Sequence, residues 1–362
     1  MSDPWICNAA WNSITFFPNA KIAPCCLQHV DNHRPLSTFA GVDTFRDMQQ
    51  LMLQGQVPPG CEGCRIQENK NQRSYRMFYG DNPRFRNNIR HIDLRNTNLC
   101  NLACRMCGPE SSSTWAKILD QGFITNTSVF EYIDPLLTKH LIDVYITGGE
   151  PMLNPDHWDM LDRLIENNLS QNVKLRYNTN LTTLSYKNRH VKDYWKKFNE
   201  VTVLCSLEAI GKPLECIRSR SKWDNINSRI DELLALKQEF NNINIEVNCT
   251  VSALNVWFIP ELVVYCQERN ITIQFFELTN PEYFSIVNLP IEYRRQALDV
   301  LRSLNSTSRV ISSVIEFTNM TNTGHLYDRL LSQILLMDKL NNENLFDLMP
   351  FRKNAISYLT RY

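Results

Sequence analysis

The sequence predicts an α/β fold: a partial (β/α)6 TIM-like barrel, preceded by a small α+β domain rich in cysteine and followed by a helical C-terminal extension. Three observations carry this. From about residue 90 the chain alternates short β-rich runs with amphipathic stretches, the pattern of βα units around a parallel sheet. Six strand runs are present, too few to close an eight-stranded barrel. The 362 residues, 43% of them hydrophobic, suffice for two or three domains with proper cores.

The strands are expected at Arg90 to Arg95, Leu141 to Thr147, Val173 to Thr179, Val201 to Leu207, Ile243 to Val251 and Ile271 to Glu277. Each is separated from the next by enough chain for a helix. Asn225 to Phe240 places Ile226, Ile230, Leu233, Leu234 and Leu236 near one face, with charges between them, and Val256 to Asn270 behaves similarly. Ahead of the barrel, Ser13 to Phe17 and Lys21 to Ala23 flank a Pro18-Asn19 turn and read as a hairpin. A helix from Thr44 to Leu53 has Asp43 in place to cap it. Past residue 290 the pattern is mostly helical, beginning with Ile291 to Leu304. The domains are therefore expected at 1–80, 86–285 and 286–362.

Composition narrows the function classes. Lys plus Arg and Asp plus Glu balance at 38 each, so no global field draws the chain to nucleic acid or an anionic membrane. No apolar run approaches the roughly 18 residues of a membrane span, and the N-terminus lacks the pattern of a secretory signal. A cytoplasmic protein is expected, with no membrane partner. The segment Arg73 to Arg90 interleaves Arg73, Arg76, Arg84, Arg86 and Arg90 with Tyr75, Phe78, Tyr79 and Phe85. Such interleaving can bind single-stranded nucleic acid, but the segment also links two domains, and an ordinary interface is the expected role.

Twelve cysteines in a chain of this kind point to metal or iron-sulfur ligation ahead of disulfides. Cys205, Cys249 and Cys266 lie in apolar or alternating segments and read as small buried hydrophobes; Cys216 is undecided. Cys100-Asn-Leu-Ala-Cys104-Arg-Met-Cys107 follows the first barrel strand directly. Three soft thiolates suit a 4Fe-4S cluster, which normally takes four cysteines, so one iron would keep an open coordination position. The alternative is zinc, with Cys25, Cys26 or a histidine as fourth ligand. At the end of the second strand comes Tyr145-Ile-Thr-Gly-Gly-Glu-Pro151. Gly148 and Gly149 remove side chains where a ligand must approach backbone, and Glu150 supplies a carboxylate for a cationic group. Asn178 and Asn180, Ser206 and Glu208, Thr250 and Ser252, and Glu277 fall at later strand ends, the end at which β/α barrels build their sites.

With these motifs in this order, the chain resembles the radical S-adenosylmethionine (SAM) superfamily over nearly its whole length. The resemblance implies that Cys100, Cys104 and Cys107 bind a 4Fe-4S cluster whose unique iron is chelated by SAM. It implies that Gly148, Gly149 and Glu150 meet the SAM amino group, and that Met106 stands at the position of an aromatic residue near the adenine. Cys205-Ser206-Leu-Glu208 resembles the family's Ser-Leu-Asp strand end, with Glu208 for the commoner aspartate. Arg218 matches an arginine that grips the SAM carboxylate, and Asn180 a strand-end Thr-Asn pattern. As capping residues, Ser206, Glu208 and Asn180 would have a purely structural role.

Cys7, Cys25, Cys61 and Cys64 form a second constellation, which by chemistry alone suits either zinc or an iron-sulfur cluster. Cys7, then Pro18-Asn-Ala-Lys-Ile-Ala-Pro-Cys25-Cys26, then Pro59-Gly-Cys61-Glu-Gly-Cys64 resembles the twitch domain, a shortened SPASM domain, placed here before the barrel instead of after it. That resemblance implies one auxiliary 4Fe-4S cluster, with Cys25 favoured over Cys26. Ala20 stands where the pattern usually has glycine, implying a less strained turn.

The resemblance as a whole implies reductive cleavage of SAM to a 5'-deoxyadenosyl radical and hydrogen abstraction from a peptide or small molecule, with net oxidation of the substrate as the preferred outcome. An electron donor such as flavodoxin or ferredoxin is the implied partner. No general acid or base stands out: Tyr177, Glu246 and Glu277 are possible barrel residues, each expected to be structural or merely adjacent to the cofactor. The rival from another class is a non-catalytic protein, stabilised by zinc or an inert cluster, that presents its surface to RNA or protein.

Overall fold

A computed structural model describes residues 5–71, 73–80, 87–122, 128–278, 280–304 and 326–352. The chain divides into two compact units, one comprising Met1–Cys100, Gly122–Asn178 and Ser185–Thr202, the other Asn101–Gln121, Thr179–Leu184 and Val203–Tyr362. The first unit opens with the expected hairpin, β1 (Ser13–Phe17) and β2 (Lys21–Ala23). Its turn is more strained than an alanine implied: Asn19 and Ala20 take φ of 65° and 51°, in the left-handed region that favours glycine. Helix α1 (Arg46–Leu53) follows a short 3-10 turn, Asp43–Phe45. Asp43 does not cap it. Its carboxylate pairs with Arg46 at 2.9 Å, and the Thr44 hydroxyl takes the Ala40 amide instead. Helices α2 (Glu62–Asn69) and α3 (Tyr75–Tyr79) complete this segment.

Strand β1 also pairs in parallel with β3 (His91–Leu94), which pairs in parallel with β4 (Asp143–Ile146), and β4 in turn with β5 (Lys174–Thr179). The N-terminal segment thus contributes an edge to the sheet of the first βα units, which spacing alone did not suggest. The reason is side-chain alternation. Ile14 and Phe16 continue the buried row of Ile92, Leu94, Val144, Ile146 and Leu175, all essentially without solvent exposure. Helix α4 (Pro155–Glu166) covers that row with Trp158, Met160, Leu161 and Leu164. Its start is fixed by Asn154, which caps the Asp156 amide at 3.1 Å, and by Pro155 in the first turn. Tyr177 points into this apolar layer, where its hydroxyl meets His157 at 2.9 Å. It is therefore a packing residue on the helix side of the sheet and not a barrel-facing one.

In the second unit the strand order is β6 (Glu200–Ser206, most of which belongs here), β7 (Ile243–Val251), β8 (Thr272–Glu277), with β7 and β8 parallel. Helix α5 (Trp223–Glu239) buries Ile226, Ile230, Leu233 and Leu236, and α6 (Ile259–Glu268) buries Ile259, Leu262, Tyr265 and Cys266. Cys205, Cys249 and Cys266 are core residues as expected, and Cys216 joins them. Beyond them come α7 (Ile291–Ser303) and α8 (Tyr327–Asn341). Of the helical extension, residues 305–325 and 353–362 lie outside the described residues, as do Arg84, Phe85 and Arg86 of the basic segment. The whole is the mixed α/β class expected, with a largely parallel sheet. No described helix is long and apolar enough to cross a membrane.

Burial of His157 has a consequence for acid stability. Its pKa is pushed down to about 3 because the charged imidazolium would sit in the apolar layer. A histidine neutral in the fold and near 6.5 when unfolded contributes its full stability above pH 6.5 and loses it as pH falls toward 3. The loss amounts to about 2 kcal/mol at pH 5. Urea unfolding at pH 7 and pH 5 should show this slope in the wild type and a flatter one in His157→Asn.

Candidate functional site

The approach to the first cysteine motif lies in the first unit and is fixed by backbone pairing. Gly149 and Glu150 donate their amides to the carbonyls of Thr97 and Leu99 at 3.0 and 2.7 Å. The glycines are needed because the cysteine loop itself comes so close. A Cβ on Gly149 would stand 2.2 Å from the Leu99 carbonyl oxygen, and one on Gly148, whose φ is +100°, 2.8 Å from that of Thr97. Glu150 is 1% exposed, and one oxygen accepts from the Met152 amide at 3.3 Å. A second set of buried polar contacts holds Asn96. Its amide donates to Asp156 at 2.8 Å and its oxygen accepts from Asn154 at 2.9 Å, while Asp156 also takes the Val129 amide. Cys100, half-buried, ends this approach.

The rest of the motif belongs to the second unit. Ala103–Cys104 pairs antiparallel with Arg218–Ser219, so Arg218 stands beside Cys104 in register. Its Nη1 lies 3.8 Å from the Cys104 sulfur, and its other edge donates to both oxygens of Glu208 at 2.5 and 2.8 Å. A hydrogen bond from Cys107 and then the Arg218 guanidinium hold the Cys104 thiol below its ordinary pKa. Cys107 and Met106 are half-buried. Glu208 is held from behind by Asn255, whose amide donates to its carbonyl at 3.1 Å and to that of Thr250 at 3.0 Å. Asn180 donates to Asn101 at 3.1 Å and accepts the Thr182 amide at 2.9 Å, so it both turns the chain and braces the motif. Ser206 ends β6, half-buried. The structure thus joins Cys104, Cys107, Glu208 and Arg218 in one constellation and Gly148, Gly149 and Glu150 in another.

Arg105, inside the motif, is the residue that sequence reasoning missed. It is wholly buried, and its guanidinium donates to the carbonyls of Cys216 at 2.6 Å and Ile334 at 3.1 Å, to Glu343 at 2.9 Å and to Asp338. Asp338 in turn accepts the amides of Leu345 and Phe346. A charge between two cysteines of a ligand loop was the available signal, since a fully buried arginine must find carboxylates and carbonyls.

The second cysteine set is brought together within the first unit. Cys7, Cys25, Cys61 and Cys64 all line one cavity of about 230 Å³, whose other walls include Trp5, Met48 and Met52. Gly60 makes the turn before Cys61 at φ +82°, where a side chain would strike Asn32 and His29. The Leu27 amide donates to the Cys25 sulfur at 3.4 Å. Burial, with the neighbouring thiols adding to it, pushes Cys7 and Cys61 up to about 12. Cys26 faces elsewhere: a hydrogen bond from Cys25 and the nearby Arg95 hold its pKa down. Among the described residues, no three His, Cys, Asp or Glu side chains converge as closely as a single metal ion requires; the four thiols stand around the cavity. In the basic segment, Arg76 pairs with Glu68 and lies over Trp5, and Tyr79 meets Ser13, contacts of an ordinary interface.

Comparison with known proteins adds the following. The family model described as the Radical SAM superfamily matches residues 96–252. GTP 3',8-cyclase of Sulfurimonas denitrificans is 22% identical over 200 residues, covering 54% of this chain and 58% of the relative. The same-named protein of Aliarcobacter butzleri is 23% identical over 195 residues, covering 53% and 56%. The chain thus spans less than three-fifths of the length of these curated relatives. Among solved structures, Streptococcus suis SuiB bound to precursor peptide SuiA is 14% identical, with a TM-score of 0.42, covering 77% of this chain and 56% of that one.

The Arg105 anchor is directly testable. Asp338→Asn leaves a buried guanidinium short of a carboxylate and should lower the unfolding free energy by about 3 kcal/mol or more, read by urea titration. Lys339→Gln, on the exposed side of the same helix, should change it by less than about 0.5 kcal/mol.

Proposed function

We propose, because residues 96–252 match the family model of the Radical SAM superfamily, that the protein reductively cleaves SAM at a 4Fe-4S cluster held by Cys100, Cys104 and Cys107 and abstracts hydrogen from a substrate. When bound, the cluster and SAM supply a 5'-deoxyadenosyl radical; the protein's share is to bind, orient and exclude water. The observation that carries this reading is the register of Arg218 beside Cys104. It sets a fixed cation 3.8 Å from a ligand sulfur and adjoining a buried carboxylate. The thiolate form required of a ligand is favoured there, and a bidentate arginine can take a carboxylate such as that of SAM. Glu208 shares that arginine, Glu150 offers its carboxylate to the SAM ammonium, and Met106, Asn180 and Ser206 border the cofactor. Gly148 and Gly149 serve by letting the cysteine loop close on the strand end.

In this reading residues 1–80 are an auxiliary domain of the twitch type, 86–285 the catalytic barrel and 286–362 an extension. Cys7, Cys25, Cys61 and Cys64 hold one auxiliary 4Fe-4S cluster, a carrier of single electrons. The cavity supports this by its four thiols, by a volume far beyond the roughly 30 Å³ of a single water, and by its mostly apolar wall. An amide donated to the Cys25 sulfur is the kind of contact that tunes such clusters. All twelve cysteines are free thiols, which suits a reducing, cytoplasmic setting with flavodoxin or ferredoxin as electron donor. The substrate is a small molecule or peptide that undergoes net oxidation.

Anaerobically reconstituted protein given SAM and a strong reductant should release 5'-deoxyadenosine, measured by mass spectrometry. Cys107→Ala should release none. Cys64→Ala should keep some uncoupled release while losing the iron and sulfide of one cluster; equal and complete loss of release in both variants would overturn the division of labour.

A further inference from the structure

Strands β3, β4 and β5 of the first unit each have two unlike faces. Toward the helices stand Ile92, Leu94, Val144, Ile146 and Leu175, all buried. The opposite face, which in a β/α barrel is usually filled by branched aliphatic side chains, here carries charge. By register Asp93 lies beside Tyr145, and Tyr145 beside Arg176. Arg95 donates through Nε and Nη2 to Asp93 at 2.9 and 2.6 Å, and Arg176 through the same atoms to Asp143 at 2.9 and 2.8 Å.

Both guanidinium groups are also clamped by aromatic rings. Arg176 lies 4.8 Å from the centroid of Tyr145 and 5.3 Å from that of Phe78; Arg95 lies 5.9 Å from Tyr145 and 5.7 Å from Phe17. A bidentate carboxylate and two rings leave little freedom to either side chain. Each retains one nitrogen, Nη1, that meets no acceptor among the described residues, and the side chains keep 24% and 29% of their exposure. Ion pairs of this kind add little to stability against an apolar alternative. Their form, two immobilised forks on either side of one phenol, fits recognition of an anion, because the ordering cost has been met before the ligand arrives.

We infer that Arg95 and Arg176, flanking Tyr145, form a binding site for an oxyanion, a carboxylate or phosphate group of the substrate. The inference rests on the reading of this strand face as the substrate side of a radical SAM barrel, and it adds the substrate's chemical class. The phenol and the two stacked rings give the remainder of the substrate a flat, apolar surface beside the anion.

Isothermal titration of the reconstituted full-length protein with inorganic pyrophosphate and, separately, with malonate at matched ionic strength tests it. Wild type should bind at least one of them saturably. The double variant D143N/R176Q, which removes both members of one pair and leaves His91 beside an amide in place of the carboxylate it also faces, should bind on the order of tenfold or more weakly. Arg176→Lys, which keeps charge but not the fork, should lie between and decides the matter if the double variant does not fold. Arg163→Gln, a surface change in the same unit, should bind as wild type does. Preference for pyrophosphate assigns a phosphate ester, preference for malonate a carboxylate, and equal binding the oxyanion alone. Wild type that binds neither, or variants that bind as wild type does, would overturn the site. Release of 5'-deoxyadenosine by the same wild-type preparation checks the underlying reading separately: its absence beside intact anion binding would overturn that reading and not the site.

Discussion

A loop that must offer three thiols within eight residues has almost no secondary structure of its own, so its shape has to be imposed by its neighbours. The structure does this from both ends. Before Cys100, the carbonyls of Thr97 and Leu99 are taken by the amides of Gly149 and Glu150, an approach so close that Gly149 tolerates no side chain. After Cys104, Arg105 ties the loop to the Cys216 carbonyl and to Asp338 and Glu343. Ordering a flexible loop costs roughly 1–2 kcal/mol for each residue's backbone, and these contacts are what offsets it.

The same economy governs the strands themselves. One face of each is given to apolar packing, and the other is left for polar side chains that hold one another in place. Asp93 fixes Arg95 and Asp143 fixes Arg176. Charged residues can occupy such positions only when their partners are built in beside them, because an isolated buried charge would shift its ionisation or open the fold. Glu208 and Arg218 follow this rule in the second unit. Polar chemistry is thereby accommodated without loss of the apolar layer that stabilises the sheet.

Much of this was legible in the sequence because the relevant signals are local. All six βα strands fall within two residues of where alternation put them, and the hairpin and the four cysteines of the cavity were visible from turn residues and spacing. What was not legible depends on distant partners. Nothing near Ser13 announces that β1 pairs in parallel with a strand more than seventy residues later. Tyr177 could have faced either side of β5, and only the presence of His157 on α4 decides it. The glycine pair was read as a place where a ligand approaches backbone, and the group the structure brings there is the chain's own backbone. Arg105 drew no reading at all, because its carboxylate partners lie more than 230 residues away.

The hairpin also finishes the sheet on its outer side. Beyond β2, among the described residues, comes the two-residue strand Arg34–Pro35, in register with Lys21 and Ile22. A bare strand edge offers a row of unpaired amides and carbonyls on which a second chain can add, and proteins blunt such edges with charge, brevity and proline. Here all three coincide: the last strand is short, begins with arginine and ends with a residue that has no amide hydrogen to give. The segment that gathers the second cysteine set is thus also the device that keeps the sheet from templating aggregation.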